Sequence, residues 1–375
     1  MSTKNPAPES LSRLSGPILV TGHTGFKGTW LTLLLEKLGI TVLGYSLCPT
    51  EDSLFKILDR EGKITETFSD ILDLDSLENF IQHEKPVSVI HLAAQPLVLE
   101  SYRFPHYTIK VNALGTSNLF EAISKSCDVT SVLIATTDKV YKNLGTGQEF
   151  VETDALEGND PYSSSKVATE AITSAWVSYF RHNKGPAISI ARAGNVIGGG
   201  DCSKERLLPD IVKAIQNDTP LTIRNPDNTR PWQHVLDPLI GYLKILEKLQ
   251  NGEEPGNYNF GPSGKSLSVK EVLDIAIKAS NNNVHINYAE NPIHLESTTL
   301  GLNSKKALDE LNWSPTWSQK EAVEATIKWW DTLKNNPKNP ELACNNDVEK
   351  AISHLQIKHA KGKFSRSLKF RMSGE

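Results

Sequence analysis

Residues 17–39 read Pro-Ile-Leu-Val-Thr-Gly-His-Thr-Gly-Phe-Lys-Gly-Thr-Trp-Leu-Thr-Leu-Leu-Leu-Glu-Lys-Leu-Gly, and the fold turns on them. Pro17-Ile18-Leu19-Val20 is a short apolar strand running into Gly22, while residues 29–38 form a helix that Gly39 stops. Between the two lie Gly22, Gly25 and Gly28, evenly spaced. They let the backbone turn tightly and approach a pyrophosphate, which the unpaired N–H groups and dipole of a helix N-terminus attract. A glycine triplet alone fits any tight strand–helix turn. Placed after a first strand and before an apolar helix, with Thr24, Phe26 and Lys27 in the loop, it meets the condition for a dinucleotide site.

Outward from this loop the pattern repeats. Residues 41–45 read as a second strand, and apolar runs follow at 87–92, 132–136 and 187–192, separated by helical stretches near 105–126 and 161–182. Strands that are apolar throughout indicate a parallel sheet covered on both faces. The expected fold is α/β, a Rossmann-type doubly wound parallel sheet over residues 17–192. The second strand ends Gly44-Tyr45-Ser46-Leu47-Cys48, with neither the acid that holds ribose hydroxyls nor the arginine that takes a 2′-phosphate. Ser46 can bond a hydroxyl and no cation nearby favours NADP, so NAD is the preferred cofactor. Asp70 is a candidate for the adenine amino group or, equally, the N-cap of a helix over 72–80.

Past Arg192 the texture changes. Gly198, Gly199 and Gly200, then Pro209, Pro220, Pro226, Pro231 and Pro255, interrupt shorter helices near 206–217, 235–250 and 269–280. Residues 193–334 read as a smaller mixed α/β lobe, partly interleaved with the sheet domain and ending in an amphipathic helix near 319–332. A linker at 335–340 opens a C-terminal basic extension, 335–375, whose Lys358, Lys361, Lys363, Arg366, Lys369 and Arg371 alternate with Phe364, Leu368 and Phe370. It reads either as a contact for an anionic surface or as a loosely ordered tail.

The chain has 375 residues, 38% apolar and 22% charged, so a sizeable core is available and global disorder is excluded. Forty basic against forty-four acidic residues give −4, which argues against a nucleic-acid binder steered by net charge. Cys48, Cys127, Cys202 and Cys344 are scattered in a way that suits neither a zinc site nor a disulfide framework, so no metal and a reducing cytoplasm are expected. No run is long and apolar enough for a membrane span. Residues 1–16 read as a polar, disordered tail.

The chemistry-bearing residues sit at strand ends and helix starts. Tyr162 and Lys166 lie four apart on one helical face, where a fixed ammonium can stabilise a phenolate whose ordinary pKa of about 10 makes it a poor base. At the end of the 132–136 strand come Thr137, Asp138 and Lys139, facing the crevice where ligands of open α/β sheets bind. Thr137 can share a hydrogen bond with a reacting hydroxyl. Asp138 and Lys139 make an acid/base pair suited to protonating one group and deprotonating another.

Together TGHTGFKGTW at 21–30, HLAAQPLV at 91–98, TTDKVY at 136–141, DPYSSSK at 160–166, ARAGNVIGGGD at 191–201, IRNPDNTRPWQHVLDPL at 223–239 and YNFGP at 258–262 resemble the extended short-chain dehydrogenase/reductase family, and within it the CDP-glucose 4,6-dehydratases. The resemblance runs from about residue 18 to 331. It implies a redox-neutral elimination with NAD: hydride leaves hexose C4 as Tyr162 takes the C4 hydroxyl proton, water leaves across C5 and C6, and hydride returns to C6. Asp138 would be the acid at C6. Where relatives acting on dTDP-glucose carry Asp-Glu this chain has Asp138-Lys139, so Lys139 would be the C5 base, which requires it neutral. The resemblance also implies that Ile71, Leu92, Ala93 and Ala94 touch the cofactor. Gln95, Asn195, Arg206, Ile223, Arg224, Arg230 and Asn259 would touch the nucleotide-sugar, the arginines gripping its diphosphate. It further implies a homodimer through a four-helix bundle of the helices near 106–126 and 161–182, and a place in deoxysugar biosynthesis, such as that of O-antigen and lipopolysaccharide.

The chain departs from that family at Leu99, where arginine is usual, and at Cys202, where tryptophan is usual. It departs again at residues 144–151, Leu-Gly-Thr-Gly-Gln-Glu-Phe-Val, which lack the usual tryptophans and tyrosine, and at His294-Leu295-Glu296 in place of His-Glu-Ala. These positions are expected to face sugar or nucleotide. Competing readings are a nucleotide-sugar 4-epimerase, which has no need of the Asp138-Lys139 pair, and a catalytically silent dinucleotide sensor, which has no use for Tyr162 with Lys166.

Overall fold

The structure, a computed structural model, describes residues 11–282, 284–289 and 300–372, with side chains as far as Gln356. Seven parallel strands form its centre: β1 (Ile18–Thr21), β2 (Val42–Ser46), β3 (Thr65–Phe68), β4 (Ser88–His91), β5 (Ser131–Thr137), β6 (Ala187–Ala193) and β7 (Asn257–Phe260). Their spatial order is β7-β6-β5-β4-β1-β2-β3, so the chain reverses direction across the sheet between β1 and β4. That is the expected doubly wound sheet, with its crevice at the switch point beyond the carboxyl ends of the strands. Strands β1, β2, β4 and β5 are buried along their whole length, as strands covered on both faces must be.

Two strands extend the sheet beyond the reading of the sequence. β3 is a half-exposed edge strand, Thr-Glu-Thr-Phe, without an apolar run. β7 comes from the expected second lobe and adds to the opposite edge beside β6, so that lobe and sheet interleave. The remainder of the lobe is held by two-stranded pairings, among them Leu221–Ile223 with Ile286–Tyr288 and Thr229–Arg230 with Leu267–Ser268.

Helix α1 (Phe26–Lys37) follows the glycine loop, α2 (Leu74–Glu84) follows β3, and the expected 105–126 helix is three pieces, Pro105–Ile109, a π-turn at Lys110–Leu114, and α3 (Gly115–Ser124). α4 (Pro161–Asn183) starts in a capping box: the Asp160 carboxylate accepts from Ser163 N–H while the Ser163 hydroxyl closes back on Asp160 N–H. α5 (Leu207–Asn217), α6 (Leu236–Gln250), α7 (Val269–Ser280), α8 (Gln319–Asn335) and α9 (Glu341–Met372) complete the chain.

Both expected tails are corrected in part. Leu11 and Leu14 are buried in the main core, and Ser15 N–H donates to Gln250 at 2.9 Å, so the order begins before residue 16; residues 1–10 lie outside the described residues. The extension after the linker is not a loose tail at its start: α9 buries Ala343, Cys344, Val348, Ala351, Ile352 and Leu355 against the same core. The side chains of the basic cluster from Lys358 to Arg371 lie outside the described residues. Among the described residues no helix is long and apolar enough to cross a membrane, and no group of three or more His, Cys, Asp or Glu could hold a metal ion.

Candidate active site

A cavity of about 700 Å³ opens beyond the carboxyl ends of β1, β2, β4, β5 and β6 and runs into the second lobe. At one end the loop after β1 is shaped by close contacts between backbones. Gly22 has φ +76°, and a Cβ there would stand 2.8 Å from Ala93 N. A Cβ on Gly28 would stand 2.1 Å from the Gly22 carbonyl oxygen. Only glycine leaves the N-terminus of α1 this near to the strand ends, so the cradle fits a pyrophosphate. Thr24, bonded to the Ser46 hydroxyl at 2.8 Å, ties the loop to the end of β2. Gly25, Phe26, Lys27, Ser46, Asp70, Ile71, Leu92, Ala93 and Ala94 all line this end.

Asp70 is not the N-cap the sequence offered. Helix α2 begins at Leu74, and its N-cap is Asp73, whose carboxylate accepts from Ser76 N–H. Asp70 instead accepts from Leu72 N–H at 2.9 Å in a tight turn on the cavity wall. Pairing of Ser46 with Phe68 in the β2–β3 register is what carries both Ser46 and Asp70 to that wall.

In the middle of the cavity Thr137, Asp138, Lys139, Tyr162 and Lys166 come together. Thr137 ends β5, and its hydroxyl donates to Asp138 Oδ1 at 3.0 Å and stands near the Tyr162 phenol, whose ionisation it favours. One threonine therefore serves both the phenol and the carboxyl. Pairing of Thr137 with Ala193 sets Asp138 beside Gly194, where a Cβ would stand 3.2 Å from Asp138 Oδ2. That oxygen is buried and has no protein hydrogen-bond partner.

Burial governs the charges. It pushes Asp138 up to about 6 against the pull of Lys139, the Thr137 hydrogen bond, Arg230 and Lys27, so the carboxyl holds a proton far more readily than an exposed aspartate. Burial also pushes Tyr162 up to about 12, with Asp138 adding to the effect and Thr137 and Arg206 opposing it. Lys166 Nζ donates to the Ala135 carbonyl at 3.3 Å, and burial brings it down to about 8 against Glu170. The expected stabilisation of the phenolate thus does not outweigh burial in the protein alone. Lys27, at about 7, is lowered by burial and by repulsion from Lys166 and Arg206.

At the far end Asn195, Arg206, Ile223, Arg224 and Arg230 line the cavity. Arg206 Nη1 pairs with Asp201 at 3.1 Å, which points the guanidinium along the cavity rim. Two expected substrate residues are not on the wall. Gln95 is buried, its backbone N–H donating to Asn112 Oδ1 and its side-chain amide to Thr108. Asn259 accepts from Tyr141 OH at 2.7 Å and donates to the Phe150 carbonyl. Both satisfy buried neighbours instead of a ligand. Of the departures from the family, Leu99 lines the cavity, whereas Cys202 and residues 144–151 do not, and His294-Leu295-Glu296 lies outside the described residues. Phe150 stacks on Tyr141 with centroids 4.9 Å apart.

Reading the sequence missed Tyr107 and Val111, which line the wall from the broken helix before α3, and it missed Glu170 and Arg192 behind the wall. An arginine within the apolar run of β6 was the available signal, since a buried guanidinium demands a carboxylate.

The family model described as GDP-mannose 4,6 dehydratase matches residues 19–326. The chain is 38% identical over 324 residues to a CDP-glucose 4,6-dehydratase of Salmonella typhimurium, covering 83% of this chain and 89% of that protein. It is 26% identical to a dTDP-glucose 4,6-dehydratase of Xanthomonas campestris pv. campestris, over 84% of this chain and 93% of the other. Among solved structures, a dTDP-glucose 4,6-dehydratase from Bacillus anthracis in complex with NAD superposes with a TM-score of 0.71 at 24% identity, covering 85% of this chain and 97% of that one. A UDP-glucose 4-epimerase from Thermotoga maritima with UDP-glucose gives 0.73 at 21%, covering 84% and 99%. Those two likenesses speak to the fold.

Proposed function

The chain belongs to the GDP-mannose 4,6 dehydratase family, and from that membership and its cavity we propose that it is an NAD-dependent hydro-lyase converting CDP-glucose to the CDP-4-keto-6-deoxy sugar. The observation that carries the reading is the cluster of Tyr162, Thr137 and Asp138, which sets a phenol and a carboxyl of raised proton affinity side by side in one buried cavity. An epimerase has no work for the second of these groups.

Gly22, Gly25 and Gly28 with the N-terminus of α1 would hold the pyrophosphate of NAD, Ser46 and Asp70 the adenosine end, and Lys166 the ribose near the nicotinamide. When bound, NAD accepts a hydride and later gives it back, and its oxidised ring brings a positive charge that favours ionisation of Tyr162. Tyr162 Oη takes the proton of the C4 hydroxyl. Asp138, pushed up to about 6, gives a proton to the departing C6 hydroxyl. Lys139, next along the same turn, is assigned the C5 proton. Arg206, Arg224 and Arg230 take the diphosphate, and the apolar walls keep water from the intermediate stage.

The same reading includes a homodimer in which α4 and the helices before it pack against a second copy. It is supported by the exposed Tyr102, Phe104, Tyr107, Ile109, Leu114 and Tyr179 on those segments. Four unpaired cysteines, two of them exposed, favour a reducing cytoplasm, and a role supplying deoxysugars for O-antigen or lipopolysaccharide follows from the product class. Incubation with CDP-glucose in heavy water, followed by the alkaline absorbance of the 4-keto product and its C5 deuterium content, tests the reaction. Product with deuterium at C5, abolished in Tyr162→Phe, is expected. CDP-galactose as the product, or no turnover of any common NDP-hexose, overturns the assignment.

A further inference from the structure

Lys166 works from a hostile position. It is 7% exposed, its Nζ has one carbonyl partner at 3.3 Å, and burial favours its neutral form. The groups facing it come from three elements. Tyr162 stands one turn earlier on α4. Lys27 approaches from α1 and repels it. His91 on β4 is fixed between the hydroxyls of Thr21 and Thr116, at 2.7 and 3.1 Å, and is kept neutral at about 3 by burial and by Lys166 itself. The attraction comes from Glu170, one turn later on α4.

Glu170 is held on every side. Its Oε1 accepts from Thr136 Oγ1 at 2.7 Å and from Arg192 Nε at 2.9 Å, and its Oε2 accepts from Arg192 Nη2 at 2.5 Å. Arg192 is fixed in turn, donating through Nη1 to Tyr141 OH at 2.8 Å and to the Glu152 carbonyl at 3.0 Å. Thr136 immediately precedes Thr137 and Asp138, and Ala135, whose carbonyl holds Lys166, precedes Thr136. Glu170 and Lys166, one turn apart on α4, therefore hold consecutive residues at the end of β5.

We propose that Glu170, locked in place by Arg192, is a positioning residue that keeps Lys166 charged next to Tyr162, so that the ammonium supports the phenolate at neutral pH. The inference rests on the reading of Tyr162 and Lys166 as the pair that starts oxidation at C4. It assigns the buried pair a catalytic consequence beyond holding β5, β6 and α4 together.

Glu170→Gln alone strands a buried guanidinium and endangers the fold. The test therefore uses Glu170→Gln combined with Arg192→Met, and separately Glu170→Asp, which keeps the pair but withdraws the carboxylate from Lys166. With CDP-glucose, the double variant should bring the alkaline limb of kcat down by about one pH unit and so lower kcat at neutral pH about twofold, and about fivefold to tenfold at pH 8 and above, with KM changed less than about twofold. Glu170→Asp should move the limb the same way by about half as much. A second arm needs no substrate: competitive acylation with limiting acetic anhydride, read at Lys166 by mass spectrometry across pH, should show its midpoint moving down in both variants. A limb and a midpoint that stay at their wild-type positions in a folded variant overturn the proposal. If the unmodified enzyme fails to turn over CDP-glucose, the reaction assignment falls and the acylation midpoint alone decides whether Glu170 holds the charge.

Discussion

The cofactor end and the nucleotide-sugar end of the cavity are built from different material. The first is backbone: strand termini from β1, β2 and β4, and an α1 N-terminus held so near that no side chain fits between. The second is long side chains, Arg206, Arg224 and Arg230, carried by α5's entrance and by two-residue or three-residue strand pairings. A backbone-built site tolerates almost no added atom, whereas the guanidiniums of Arg206 and Arg224, on stems open to solvent, can re-aim; Arg230 is buried. The difference predicts that substitutions hurt most at the glycine loop and least at the arginines.

Gly28→Ala is the most severe. Its new methyl group would meet the Gly22 carbonyl oxygen at 2.1 Å and the His23 Cα at 2.6 Å, both backbone, so the loop itself must move. A cost of about 3 kcal/mol is expected, lowering cofactor affinity about 100-fold. Nicotinamide content after purification and titration with NAD measure it. An unchanged affinity would mean that the two ends do not differ in the way argued.

Next in size is Asp138→Asn, which separates chemistry from stability. Turnover should fall about 100-fold or more because the acid for C6 is gone. Stability should move the other way. The carboxyl is pushed from 3.8 up to about 6, so the folded state binds its proton more tightly than the unfolded state does. Wild-type stability therefore falls as pH rises through that window, and the penalty stands in full above about pH 6. Against the wild type, Asp138→Asn should gain up to about 3 kcal/mol near neutrality and nothing near pH 4. Urea unfolding at the two pH values checks the sign. Equal stabilities at both would remove burial as the source of the raised proton affinity.

The same contrast explains what could be read before the structure was known. The apolar strands of the parallel sheet, the cradle and the catalytic turn each depend on neighbours within a few residues, where apolar runs, glycine spacing and the Tyr162–Lys166 helical interval are explicit. β3 was hidden because an edge strand needs no apolar run, and β7 because Asn257 and Asn259 look polar until Tyr141 and Phe150 arrive to satisfy Asn259. Leu11 and Leu14 were hidden inside a polar stretch, since two leucines have no period; what orders them is α6, through Glu247 and Gln250. The Glu170–Arg192 pair joins residues on separate elements, and local pattern carries no information on such a meeting. Asn259 and Gln95 were placed with the substrate by resemblance alone; their buried partners show that a motif residue can serve the wall without facing the ligand.

The smallest effect belongs to Arg224→Ala. Arg224 is exposed, follows the last residue of the Leu221–Ile223 strand, and stands near Asp210, whose carboxyl burial pushes up against the pull of Lys213 and Arg224. A solvent-screened guanidinium contributes modestly to binding a diphosphate, so KM for CDP-glucose should rise only about threefold to tenfold, with kcat and bound NAD unchanged. Because the contact is ionic and wet, the ratio of mutant to wild-type KM should shrink as salt is raised. A loss in kcat would place Arg224 among the groups that orient the hexose for hydride transfer. A KM effect as large as the Gly28→Ala loss would show the arginine end to be as rigid as the glycine end, and the contrast between them would have to be abandoned.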